Sequence, residues 1–198
     1  DLMPMSLAFG LMVVMVVASG ALAVLQNAPA LAVLGVSGGF LAPILTSTGQ
    51  GSHVALLSYY ALLNAGILGI AWFRAWRALN LLGFVFTYAI GSIWGARYYQ
   101  SDYFASVEPF VVLSFLFYLA MPLLYALRQP PNLRGVVDGT LLFGNPIVFF
   151  TIQNQLVEHL PFGRALSALV LGLVYAALTG ALWRRDPERM RLLVEVFL

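Results

Sequence analysis

The chain has 198 residues, 61% of them hydrophobic and 9% charged, and carries a net charge of +2. A soluble domain has about 25% charged residues, so this chain lacks the polar surface to coat a globule in water. The small, scattered positive charge gives no ground for a nucleic-acid partner.

There is no cysteine, and all ten basic residues are arginine. Disulfides and thiolate metal sites are therefore excluded. So is a Schiff base to retinal or pyridoxal, which needs a lysine amine. No H-E-x-x-H, P-loop or EF-hand pattern occurs. The sequence leads us to expect no cofactor, no metal and no catalytic residue.

A run of ~20 apolar residues crosses a bilayer as a helix. Seven such segments are expected, at about residues 2–25, 29–45, 54–73, 79–97, 107–127, 136–157 and 165–183. The first has no basic residue before it and does not read as a signal peptide. The second crowds Gly35, Gly38, Gly39 and Pro43 into a short span, and local unwinding is expected there. Its Gly35-Val36-Ser37-Gly38-Gly39 fits a G-x-S-x-G nucleophile pattern. That elbow needs a strand–turn–helix context, and a rhomboid-type serine needs a histidine on a facing helix. His53 and His159 fall at loops, so close helix packing is the preferred reading of Ser37 and its glycines.

The third segment carries Tyr59, Tyr60 and Asn64, with Ala61, Ala65 and Gly69 spaced by four. The fourth carries Thr87 and Tyr88, with Gly91 and Gly95 spaced by four. The fifth stops before Gln129-Pro130-Pro131-Asn132, since adjacent prolines cannot continue a helix. The sixth is interrupted at Gly144-Asn145-Pro146 and bears Thr151, Gln153, Asn154 and Gln155. Asp138 is read as capping its first turn. The seventh has Gly172, Ala176 and Gly180 on one face. All these small-residue stripes are expected to pack against neighbouring helices. No charged residue is expected inside a span except Asp138, the one candidate for a coupling role.

Basic loops stay cytoplasmic. If all seven segments cross and the C-terminus is inside, eight of the ten arginines lie inside, and only Arg97 and Arg164 lie outside. Trp72, Trp76, Trp94, Tyr98, Tyr99 and Trp183 fall near helix ends, where amphipathic rings favour the headgroup level. The expected fold is an all-α polytopic transmembrane helix bundle over residues 1–183, with its C-terminus cytoplasmic. Residues 184–198 read as a cytoplasmic link and the start of a further helix of a longer parent protein. The expected partners are membrane lipids and the parent's remaining helices.

The two Gly/Pro-interrupted segments are the second of the first three and the second of the last three. Transporters pair such helices across inverted repeats, with the site between them. Gly39, Pro43, Asn64, Asn145, Pro146 and Gln153 are the expected substrate-binding residues.

Several stretches together carry a family resemblance. They are Gly38-Gly39-Phe40-Leu41-Ala42-Pro43-Ile44-Leu45, Ser58-Tyr59-Tyr60-Ala61-Leu62-Leu63-Asn64, Asn80-Leu81-Leu82-Gly83-Phe84, and Phe143-Gly144-Asn145-Pro146 with Gln153. The chain resembles the large bacterial inner-membrane proteins grouped as a predicted membrane protein family of unknown function. The resemblance implies the bacterial inner membrane and a longer parent with more spans. It implies no activity. The leading functional expectation is transport or flipping of a small or lipid-linked envelope molecule. The alternatives are a non-catalytic scaffold and, resting only on Ser37, an intramembrane enzyme.

Overall fold

The computed structural model describes residues 5–45, 52–128 and 140–185. Among the described residues seven α-helices follow in chain order: α1 Met5–Gln26, α2 Pro29–Leu45, α3 His53–Phe73, α4 Arg77–Tyr98, α5 Phe104–Arg128, α6 Asn145–Leu156 and α7 Gly163–Arg185. A 3-10 turn, Ser101–Tyr103, precedes α5. A π-helical turn, Thr140–Gly144, runs into α6. No strand occurs among the described residues. The expected all-α architecture is therefore observed, and each expected segment corresponds to a helix. Four stretches are long and apolar enough to cross a membrane: His53–Phe73, Arg77–Tyr98, Ser101–Tyr125 and Gly163–Ala181. Asp138 and the Gln129–Asn132 proline run lie outside the described residues.

The chain divides into two compact units, Asp1–Ala89 and Ile90–Leu198, with the boundary inside α4. In the first, α1, α2 and α3 pack together. Asn27 ends α1 at a φ of 51°, in the left-handed region. The Ala28 N–H reaches back to the Ala23 carbonyl at 3.0 Å, and the Asn27 N–H to the Val24 carbonyl at 3.3 Å. This pair of bonds satisfies carbonyls that a helix end leaves bare. Pro29 then opens α2 at its first position, where the missing N–H costs nothing and φ is preset. Two residues thus suffice to turn the chain. The core of this unit is Ala32, Val36 and Phe40 on α2 against Leu63, Ile67 and Ile70 on α3. Spacings of three and four put each set on one face.

One expectation is corrected here. α2 is a continuous helix from Pro29 to Leu45, with Pro43 inside it and no unwound stretch. It accommodates the proline because the bond lost lies near its C-terminus and is replaced from α3, as described below. Ser37 therefore sits mid-helix, without the strand–turn–helix elbow that a serine nucleophile requires.

In the second unit, α6 packs on both α5 and α7. Phe115 and Leu119 on α5 and Phe149 on α6 form its core, flanked by Val111, Leu123, Leu171, Val174, Tyr175 and Leu178. The Phe115 and Phe149 rings are 4.5 Å apart. A short turn joins α6 to α7. Phe162 takes a φ of 61°, and the Gly163 N–H donates to the Leu160 carbonyl at 3.1 Å.

The small-residue stripes are a second correction. A Cβ built on Gly69, Gly91, Gly95, Gly172 or Gly180 would meet no atom within 4 Å among the described residues. Among the described residues these glycine positions are open rather than packed. Helical spacing places small residues on a face, but it does not say which face a neighbour covers. Only Gly39 in the glycine-rich α2 is closely approached: its Cβ would lie 3.2 Å from a Leu63 methyl. At Gly38 there is nothing within 4 Å, and at Gly35 the nearest atom is 3.8 Å away.

Candidate functional site

Each unit builds one polar node inside apolar surroundings. In the first, Pro43 has no N–H and cannot bond the Gly39 carbonyl one turn back. The Tyr59 hydroxyl donates to that carbonyl at 3.0 Å. The Tyr60 hydroxyl donates to the next carbonyl, that of Phe40, at 3.2 Å. The Phe40 ring is fully buried. It stacks on Tyr60 at 5.5 Å and on Phe86 at 5.4 Å. Asn64 is also fully buried, and its Oδ1 accepts the Thr87 hydroxyl at 3.0 Å. An unpaired backbone group is costly in hydrocarbon, so Tyr59 lets α2 carry a proline without unwinding.

Beside this node lies a half-open cavity of about 580 Å³ between α1, α2 and α3. Val16, Val24, Leu31, Val36, Leu63 and Ile70 contribute to its almost wholly apolar wall. Tyr59 reaches its lining, whereas Gly39, Pro43 and Asn64 do not.

In the second unit, Asn145, Phe149 and Gln153 are buried at intervals of four along α6. The Asn145 Nδ2 donates to the Phe115 carbonyl of α5 at 3.0 Å. Eight residues on, the Gln153 Nε2 donates to Glu108 Oε1 at 2.6 Å and to the Ser167 hydroxyl at 3.3 Å. One amide thus ties α5, α6 and α7 together. Pro146 lines a shallow groove of about 410 Å³ with Leu142, Phe150, Leu171 and Tyr175.

The Tyr99 hydroxyl, on the connection before α5, donates to the Leu156 carbonyl at the end of α6, at 3.3 Å. Burial, and then the nearby Glu108 carboxylate, raise the Tyr99 phenol above its ordinary range. It stays a neutral donor.

Glu108 is the residue that the sequence reading passed over. No charge was expected inside a span except at Asp138, yet Glu108 lies within the expected segment 107–127 itself and within the observed Ser101–Tyr125 candidate span. A carboxylate inside an apolar run, directly before Pro109, was the available signal. Among the described residues, Glu108 Oε2 and Gln153 Oε1 are both buried and without a hydrogen-bond partner.

Gly39, Pro43 and Asn64 thus belong to one unit, and Asn145, Pro146 and Gln153 to the other. Within each, the side chains and carbonyls above are engaged with neighbouring helices.

Residues 1–198 match the family described as predicted membrane protein (DUF2339). The chain belongs to this family. The match takes in both nodes, so the polar groups described above are embedded in a DUF2339 membrane protein. No curated protein and no solved structure matches the chain.

Proposed function

We propose that this chain is the lipid-handling part of a bacterial inner-membrane protein that moves or flips a lipid-linked envelope molecule. The observation that carries this reading is the apolar cavity of about 580 Å³ among α1, α2 and α3. Small-molecule sites fall in the range of roughly 300–1,000 Å³ and are mostly apolar with few polar groups. This cavity suits a hydrocarbon tail, and Tyr59 is its polar edge. Gly66 lines it and has open space where a side chain would project. Gly66→Phe should therefore fill the cavity without disturbing the helices. In the full-length protein purified into nanodiscs, native mass spectrometry should find bound lipid in the parent and much less in Gly66→Phe. Equal lipid retention by a folded Gly66→Phe protein would remove the basis of this reading.

The orientation belongs to the same proposal. A cysteine at Arg77 should resist impermeant thiol reagents applied from the periplasm, and one at Asp102 should react. The native chain contributes no cysteine background. The opposite pattern would invert the threading.

The open glycine faces favour a second reading, a non-catalytic scaffold. Gly172 and Gly180 on α7 are exposed with space above them, and small residues let membrane helices approach closely. If Gly66→Phe is silent while Gly172→Leu prevents assembly with the parent's other helices, the scaffold reading leads.

A further inference from the structure

We propose that Glu108, held by Gln153, is a reversible proton-binding site within the membrane. This goes beyond the lipid-handling reading and does not depend on it.

The argument starts from the hydrogen-bond inventory. An ionised carboxylate only accepts. The Gln153 Nε2 serves one oxygen of Glu108, at 2.6 Å. The other carboxylate oxygen and the amide oxygen of Gln153 are both buried acceptors with no donor among the described residues. Gln153 is only 5% exposed. Leaving such groups unpaired in an apolar span is expensive. A proton on Oε2 turns one of the two acceptors into a donor. A carboxylic acid and a primary amide pair through two bonds, amide N–H to acid carbonyl and acid O–H to amide carbonyl. The first of these is already present, and the second requires a proton on Oε2.

No cation among the described residues competes for the role. Among the described residues Glu108 has no ion pair, and Arg164 is engaged with Glu158 at 3.0 Å on the surface. Tyr99, on the connection before α5, senses the Glu108 charge. His159, after α6, sets its ring against Phe104 at 5.2 Å. Asp102 and Tyr103 lie in the turn before α5, and α6 itself carries no titratable group. On α7, Arg164 is at the near end, Tyr175 is three turns along, and Arg184 is at the far end. Glu108 lies four residues into α5, about 6 Å along the helix from its start, on the side of the α4–α5 and α6–α7 connections. The exchange is a plain proton transfer. Hydronium delivers a proton to Oε2 and leaves water, and the reverse step releases it.

The test is infrared difference spectroscopy of the full-length protein in lipid, titrated reversibly over the pH range in which it stays folded. The expected result is a protonated-carboxyl C=O band that shifts in D2O, is lost as the pH rises, and is absent from Glu108→Gln. Gln153→Leu should shift the band, because it removes the amide that holds the acid. If Glu108→Gln does not fold, the Gln153→Leu shift decides. No titrating band in the parent, a band unchanged in Glu108→Gln, or a band unmoved in Gln153→Leu would each overturn the proposal. A band displaced by sodium at constant pH would also overturn it, in favour of a metal cation.

Discussion

Gly163→Ala is expected to destabilise the second unit by about 1–3 kcal/mol, the usual cost of over-packing. A Cβ at this position would sit 2.8 Å from both the Val157 Cβ and the Val157 carbonyl oxygen, and 3.0 Å from the Leu160 Cβ. None of these is the tip of a flexible chain. Val157 is β-branched, stiff at χ1 and almost fully buried. Relief must come from opening the turn between α6 and α7. That turn sets Ser167, four residues later, against Gln153, so its opening should also loosen the amide's hold on α7. Thermal unfolding of the full-length protein in detergent checks the first effect. An unchanged midpoint would mean that the turn is not as tight as described.

Gly39→Leu should be comparably damaging, and Gly38→Leu should not. At Gly39 a Cβ alone would lie 3.2 Å from one Leu63 methyl, 3.5 Å from the other and 3.7 Å from the Tyr59 hydroxyl oxygen. The rest of a leucine side chain must displace one of them. Moving Leu63 disturbs the α2–α3 core. Moving Tyr59 strips the hydrogen bond from a carbonyl that Pro43 cannot serve. Over-packing costs about 1–3 kcal/mol, and the lost bond adds roughly 0.6–1.7 kcal/mol in a membrane protein. Gly38, one residue earlier, is exposed with open space. Its substitution should stay within about 0.5 kcal/mol. Folded yield and thermal stability of the two variants should separate clearly. Equal effects would show that glycine content, rather than this contact, governs α2.

The membrane class, the all-α fold and the positions of the helices were legible in the sequence. They depend on the lengths of apolar runs and on prolines, which act within a turn or two of themselves. Asn27-Ala28-Pro29 is a local signal of this kind: a left-handed cap followed by a helix-starting proline. The partners of the polar groups were not legible, because they lie far off along the chain. Tyr59 serves a carbonyl twenty residues away, Asn145 one thirty residues away, and Gln153 a carboxylate forty-five residues away. Glu108 was passed over although the expected segment 107–127 already held it, because one carboxylate barely lowers the mean hydropathy of a long apolar run. The observed start of α5 at Phe104 puts it one turn inside. The glycine stripes show the same limit from the other direction. Periodicity fixed which residues share a face of α7, but only the packing of three helices decided that Leu171, Val174 and Leu178 meet the core while Gly172 and Gly180 stay open. Run length and helical phase belong to a single segment, whereas coverage of a face is a property of its neighbours.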